Sequence, residues 1–324
     1  EGDSQNISTL STHFPGLFKT KPVGDLVLMK FLVTGGAGFI GSHLARRLTS
    51  MGEVVVLDNL SSGRKSNLRG VACQLIQGSI LETAKLSEAL QGVSHVFHLA
   101  AMVSVPESVQ KPDLCTKINV EGTQRVLDSA AQAGAKRVVL ASSCAVYGNE
   151  TTLPKTEDLP PSPLSPYASS KLEGEKLCAS ALLPAVALRF FNVYGPRQDP
   201  QGPYAAAVPK FIEAATTGSS LTIHGDGLQT RDFVYVEDVV SALIHVATQS
   251  SCHGVYNVAS GHSVSILDLA RTIIGLSATK SSILHAPARS ADVRHSSASI
   301  DRLQATGWKP ECDLSQGLKR TLSA

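Results

Sequence analysis

The sequence has little that would mark a specialised class. Aromatic residues are 5% of its 324 residues, with one tryptophan. No stretch approaches the ~20 consecutive apolar residues of a membrane span. Neither sign of charge dominates: 29 Lys plus Arg against 27 Asp plus Glu leave a net charge of +2. The two signs are interspersed, which argues against a nucleic-acid surface. Six cysteines, Cys73, Cys115, Cys144, Cys178, Cys252 and Cys312, are scattered without a C-x-x-C pair. Metal-ligand spacing is therefore absent, and a chain of this size needs no disulfide scaffold. These cysteines read as reduced thiols, and the chain as cytoplasmic. Repeats and low-complexity tracts are lacking, and the polar segment 1–25 has no apolar core for export. Met29-Lys30-Phe31 reads as a translation start, so residues 1–28 are expected to be an N-terminal extension.

What is present is a large apolar fraction, 43%, enough for a substantial core. From Lys30 onward, β-rich runs alternate with helical patterns. Strands are expected at Phe31–Thr34, Val54–Asp58, Val71–Ile76, His95–Leu99, Arg137–Ser142 and Val186–Phe190. Helices are expected at Ile40–Met51, Lys85–Leu90, Asn119–Ala133 and Pro166–Ala181. That order predicts an α/β fold, a Rossmann-type parallel sheet covered by helices on both faces. Beyond Asn192 the pattern changes to turn material around Tyr194–Arg197, then helices at Ala205–Thr216, Val236–Thr248 and Ile266–Ile274. Short strands near Leu221–Ile223, Phe233–Tyr235 and Val255–Asn257 lie among them. Residues 29–191 are thus expected to form mainly a dinucleotide domain. Residues 192–324 are expected to form mainly a smaller α/β lobe, interleaved with the last strands of the first. The cleft between them is the natural ligand site.

The turn Gly35-Gly36-Ala37-Gly38-Phe39-Ile40-Gly41 connects the first strand to the first helix. Gly35 permits a tight exit, Gly38 lets a phosphate approach the backbone, and Gly41 allows close contact of helix and strand. The helix N-terminus then offers N–H groups to a pyrophosphate. The spacing is G-x-x-G-x-x-G. Asp58 ends the second strand, near the ~20-residue offset expected of an acid that grips an adenosine ribose. A carboxylate there repels a 2′-phosphate, so NAD is favoured over NADP. Arg64 and Lys65 follow, and are read as a solvated loop.

Downstream, Ser165 before Pro166 has the form of an N-cap with proline in the first turn. Tyr167 and Lys171 are i and i+4, on one helix face. A phenol is a poor base at neutral pH unless a cation stabilises its phenolate. Ser142-Ser143, ending a strand, can hydrogen-bond a reacting oxygen. Together with the glycine turn, this set points to hydride and proton transfer.

These motifs resemble the extended short-chain dehydrogenase/reductases, in particular the NAD-dependent nucleotide-sugar 4-epimerases. The resemblance is carried by the Gly35–Gly41 turn, Asp58-Asn59, His98-Leu99-Ala100-Ala101, Asn119, Ser143 with Val146-Tyr147-Gly148, and Tyr167-x-x-x-Lys171. Arg189 to Pro196, Gly225-Asp226-Gly227 and Arg231-Asp232-Phe233 extend it, so that it runs from about Met29 to the C-terminus. It implies Ser143, Tyr167 and Lys171 as the catalytic set and no metal. It implies NAD contacts at Gly35, Gly38, Phe39, Ile40, Gly41, Asp58, Asn59, Ser61, Gly63, Ser79, Ile80, Leu99, Ala100, Ala101, Asn119, Ser142, Tyr167, Lys171 and Phe190. One departure is Gly78-Ser79-Ile80, where relatives commonly carry an acid in place of Ser79.

For a UDP-sugar the resemblance implies Asn192, Arg231 and Arg289 at the diphosphate, Asp292 at the ribose, and backbone at Leu221, Thr222 and Ile223 around the base. Val103, Ser143, Tyr167, Tyr204, Val208 and Ser296 complete that set. Ser296 stands at a gate position, where a small side chain leaves room for an N-acetyl group at C2. UDP-N-acetylglucosamine, UDP-glucose and UDP-glucuronate all stay open as substrates. Cys144-Ala145 occupy the places of the Asp-Glu pair that 4,6-dehydratases use, which counts against dehydration. The same motifs leave room for a uronate decarboxylase, a reductase or a non-catalytic NAD-binding sensor. The resemblance also implies a homodimer joined by the helices beginning near Asn119 and Tyr167.

Overall fold

The computed structural model describes residues 29–201, 206–288 and 293–324. Twelve strands are assigned among them. In the first half they are β1 (Met29–Thr34), β2 (Gly52–Asp58), β3 (Gln74–Gln77), β4 (His95–His98), β5 (Arg137–Ser143) and β6 (Ala185–Phe190). Beyond these lie β7 (Asn192–Tyr194), β8 (Leu221–His224), β9 (Thr230–Tyr235), β10 (Gly254–Val258), β11 (Ser263–Ser265) and β12 (Ile283–Ala286). The helices that position the site begin with α1 (Phe39–Leu48), α2 (Thr83–Ala89), α3 (Val105–Gln110), α4 (Pro112–Thr116) and α5 (Gly122–Gln132). They continue with α6 (Pro166–Ala179), α7 (Ala207–Thr216), α8 (Val236–Thr248) and α9 (Ile266–Ser277).

Seven strands form one parallel sheet in the order β10-β6-β5-β4-β1-β2-β3. This is the Rossmann-type parallel sheet expected from the sequence. β10, from beyond residue 192, caps one edge, so the two halves of the chain interleave. Alternation along the strands feeds two cores. Phe31, Val33, Val54, Val56 and Val139 point to the face covered by Leu44 and Leu48 of α1 and Val239, Leu243 and Val246 of α8. Leu32, Val55, Leu57, Val138 and Leu140 point to the other, under Leu86 of α2, Val126 and Leu127 of α5 and Cys178 of α6. Each such side chain contributes roughly 1.5–3 kcal/mol by leaving water, which fixes the register and the direction in which every strand end points.

The chain order reverses between β1 and β4, and the C-terminal ends of strands at such a point form a crevice. The second lobe has a three-stranded sheet, β11-β9-β7, and a two-stranded one, β12-β8. Tyr194, Phe211, Phe233, Ile266 and Leu269 are among its core residues, and Phe39 and Ile40 of α1 pack against them. His43 bolts the halves together: Nδ1 pairs with Glu237 Oε1 at 2.8 Å and Nε2 with the Pro196 carbonyl at 2.9 Å.

The differences from the sequence reading are local. The third strand starts at Gln74 rather than Val71, because Val71–Cys73 is a turn. The helix expected from Asn119 starts at Gly122, after a π-helical turn over Lys117–Glu121. Asn192–Tyr194, just where turn material was expected from Tyr194 on, is a strand because Phe233–Tyr235 offers it a parallel partner. The helix Val236–Thr248 matches residue for residue. No helix among the described residues is long and apolar enough to cross a membrane.

Candidate active site

The glycine-rich turn sits at the C-terminal end of β1, against the segment that leaves β4. Gly35 has φ +70°, and a Cβ on it would lie 2.8 Å from the Ala100 amide nitrogen. A Cβ on Gly41 would lie 2.3 Å from the Gly35 carbonyl oxygen. Helix α1 therefore starts in contact with the strand that feeds it. Its N-cap, Gly38, is extended and has no side chain to cap it, so the first N–H groups of the helix are left for an anion.

Asp58, 6% exposed at the end of β2, accepts the Ala37 amide at Oδ2 (2.9 Å) and the Leu60 amide at Oδ1 (2.8 Å). Each oxygen keeps a lone pair for a further donor. Asn59 Oδ1 accepts the Ser61 amide, and Gly63 is buried against Asp58 and Ala37. Arg64 is exposed, as expected of a solvated loop, and ion-pairs with Asp199 from the second half. Ser79 follows β3 in a local turn: its amide donates to Glu82 Oε1 at 2.8 Å and its hydroxyl accepts the Leu81 amide. Leu99, Ala100 and Ala101 are half-buried, Ile80 and Phe190 are buried, and Val103 is 63% exposed. An uncapped helix N-terminus beside a buried carboxylate with open lone pairs fits the pyrophosphate and ribose of NAD. The same acid disfavours a 2′-phosphate.

Two residues expected at the dinucleotide have side chains engaged within the protein. The Ser142 hydroxyl donates to Glu175 Oε1 at 2.5 Å in a buried pocket. Asn119 is 3% exposed, its Oδ1 accepting the Met102 amide and its Nδ2 donating to the Met102 carbonyl and Ser170 Oγ. Asn119 lies within the π-helical turn Lys117–Glu121.

Ser143, Tyr167 and Lys171 do come together. Ser143 ends β5, and its hydroxyl faces the Tyr167 phenol closely enough to pull its pKa down. Ser165 caps α6 by accepting the Ala168 amide, with Pro166 in the first turn as expected. Lys171 Nζ lies 5.8 Å from the Tyr167 ring centroid and donates to the Ala141 carbonyl at 2.8 Å. Burial pushes the Tyr167 phenol up to about 12, against the pull of the nearby Ser143 hydroxyl. Burial also lowers the Lys171 ammonium to about 8. Spacing put the pair on one face, but the ammonium is turned to a carbonyl, so the phenol stays protonated in this state.

Sequence reading placed His98 in a motif but gave it no role. Its Nδ1 bonds Thr34 Oγ1 at 2.7 Å and its Nε2 bonds Thr123 Oγ1 at 3.0 Å. Burial, with Lys171 nearby, depresses it to about 3, so it is neutral. Sequence reading missed Glu175, although the residue continues the four-residue spacing from Tyr167 and Lys171.

In the second lobe a cavity of about 670 Å³ is lined by Asn192, Val208, Thr222, Ile223 and Arg231, five of the residues expected at a nucleotide sugar. Gln229 lines it too, with Nε2 donating to the His224 carbonyl and a buried Oε1 that has no partner. Leu221 is fully buried, with its amide on the Ser282 carbonyl. Ser296 is buried, its amide on the Thr230 carbonyl. Tyr204, Arg289 and Asp292 lie outside the described residues, as do residues 1–28.

Residues 31–259 match the model of the NAD dependent epimerase/dehydratase family. The chain is 38% identical over 314 residues to the UDP-glucose 4-epimerase of Mycolicibacterium smegmatis, covering 91% of this chain and 97% of that one. Among solved structures, it superposes on the UDP-N-acetylglucosamine 4-epimerase of Methanobrevibacter ruminantium, in complex with UDP-N-acetylmuramic acid. The TM-score there is 0.87 at 38% identity, covering 91% and 97% of the two chains. The Thermus thermophilus UDP-glucose 4-epimerase complexed with NAD matches with a TM-score of 0.83 at 34% identity, covering 91% and 98%. A Bacillus cytotoxicus UDP-N-acetyl-alpha-D-glucosaminuronate decarboxylase is 34% identical (90% and 96% covered) and a Mus musculus dTDP-D-glucose 4,6-dehydratase 33% (90% and 87%).

Proposed function

The chain belongs to the NAD dependent epimerase/dehydratase family, and from that premise we propose that it inverts C4 of a UDP-hexose. The observation that carries the choice within the family is the Ser143 hydroxyl facing the Tyr167 phenol beside Cys144-Ala145. Ser143, Tyr167 and Lys171 are all that an oxidation and its reversal require. Elimination of water needs a further acid and base. Burial pushes the Cys144 thiol up to about 11, so it is a neutral thiol at working pH and serves as neither.

NAD, when bound, supplies reversible acceptance of a hydride. Tyr167 is the group that takes the C4 hydroxyl proton and later returns it, and Ser143 holds the same oxygen in line. To act as a base near neutral pH, the phenol must come down from about 12. That requires about 7 kcal/mol of differential interaction, and positive charge brought to the cleft by the cofactor and by Lys171 is its source. Arg231 and Asn192 hold the diphosphate end, so the 4-keto sugar stays tethered while it turns to present its opposite face. Gly35–Gly41 and Asp58 retain the cofactor between the two half-reactions.

The buried, small Ser296 supports a substrate with an N-acetyl group at C2, with UDP-glucose and UDP-glucuronate as competitors. Val109 and Leu114, exposed on α3 and α4 beside α6, support a homodimer built around α5 and α6. The test is to incubate the protein in parallel with UDP-N-acetylglucosamine, UDP-glucose and UDP-glucuronate without added cofactor, and to separate the C4 epimers. Inversion with no net NADH is expected. Release of carbon dioxide, loss of water, or dependence on added reductant would overturn the assignment.

A further inference from the structure

Beneath the Ser143–Tyr167 pair lies a buried charge cluster that the chemistry above does not use. Tyr167, Lys171 and Glu175 follow one another at four-residue spacing down one face of α6. Glu175 and Arg189 are 5% and 4% exposed, and the guanidinium holds both carboxylate oxygens, Nε to Oε1 at 2.9 Å and Nη2 to Oε2 at 2.8 Å. Oε1 also accepts the Ser142 hydroxyl at 2.5 Å. One carboxylate thus ties the catalytic helix, the end of β5 and the end of the neighbouring strand β6.

The cluster extends toward the sugar side. The Arg189 guanidinium lies 4.7 Å from the Tyr147 ring centroid, and the Tyr147 hydroxyl donates to Asn257 Oδ1 at 2.6 Å. Asn257 Nδ2 donates in turn to the carbonyls of Lys155 and Ser299, three residues from Ser296. A buried ion pair is a poor device for stability, because apolar side chains of equal volume do as well or better. Its use here must be geometric or electrostatic.

We propose that Glu175 is a positioning residue: gripped by Arg189, its carboxylate sets the Ser142–Ser143 strand end against α6, so that the Ser143 hydroxyl and the Tyr167 phenol keep one separation while the sugar turns over. Among the groups facing Lys171, Glu175 favours its ammonium, Cys115 from α4 lies beside it, and His98 from β4 is neutral. Tyr167 is faced by Ser143 and Cys144 from the end of β5 and by Cys115. Removing the Glu175 charge therefore weakens the cation nearest the phenol as well as freeing the strand end.

The inference rests on the epimerase reading, and two variants test it. Glu175→Leu with Arg189→Met replaces the ion pair by apolar volume. Ser142→Ala removes only the hydroxyl bond to Glu175. Both are expected to lower kcat about 10- to 100-fold with KM for the UDP-sugar and NAD content unchanged. In the double variant the Tyr167 phenol should also titrate at higher pH. That titration is read as the phenolate absorbance of each NAD-loaded protein minus that of its Tyr167→Phe counterpart. Parental kcat in Ser142→Ala, or an unshifted phenol in a folded double variant, would overturn the proposal. If the double variant does not fold, Ser142→Ala decides alone. A wild type that inverts no sugar refutes the epimerase reading instead, and the phenol titration still tests the positioning role.

Discussion

Asp58 accepts the backbone amide of Ala37 at 2.9 Å, so the acid expected to hold the cofactor's ribose also builds the turn that receives its phosphates. Its second oxygen holds the Leu60 amide at 2.8 Å. Asp58→Ala would leave two N–H groups without their acceptor, at about 1–3 kcal/mol each where water cannot replace it. We expect a stability loss of about 2–4 kcal/mol by urea unfolding even without NAD. Asp58→Asn, which keeps one acceptor oxygen, should lose about half as much. Equal stability of Asp58→Ala and the parent would mean that the carboxylate serves the cofactor alone.

Tyr167→Phe should remove C4 inversion by about 10²- to 10⁴-fold and leave NAD content unchanged. Chromatographic separation of the epimers and the absorbance of released NAD measure the two quantities. Inversion at the parental rate would assign the base elsewhere.

Gly41→Ala should shift the start of α1, because the added Cβ meets the Gly35 carbonyl oxygen at 2.3 Å. The expected cost is about 1–3 kcal/mol, accompanied by loss of bound NAD from the purified protein. Gly70→Ala is the control for strain alone: φ there is +71° with nothing within 4 Å. It should leave NAD content intact.

His98 makes stability fall on the acid side. Its folded form is neutral, with its pKa depressed to about 3 by burial first and Lys171 second. The unfolded chain takes up that proton near pH 6.5 and the folded chain does not. Stability present above pH 6.5 is therefore lost as pH falls toward 3, by about 2 kcal/mol between pH 7 and pH 5. Urea unfolding at the two pH values should give a smaller difference for His98→Gln than for the parent. The same slope in both would remove His98 from this role.

Much of the fold was legible because its determinants are local. The alternation of apolar residues, the glycines of Gly35–Gly41 and the Ser165-Pro166 cap lie within a few residues of the elements they specify, and Val236–Thr248 was bounded to the residue. The strands that were missed or misread are three or four residues long and exist through distant partners: Asn192 pairs with Phe233, and Ile283 with Leu221. No local pattern encodes such a pairing, because a three-residue strand is stabilised only by the edge it meets.

For the candidate site the division is similar. By itself the sequence determined which chemical groups are available: a glycine turn, an acid after the second strand, and a serine, tyrosine and lysine at helix and strand ends. Only the tertiary structure decided how they are engaged. It turned Lys171 to the Ala141 carbonyl, spent Ser142 on Glu175 and Asn119 on Met102, and buried His98 between Thr34 and Thr123. Spacing along a chain sets which residues share a face. Burial and hydrogen-bond competition among groups 17 to 64 residues apart set which of them remain free to react.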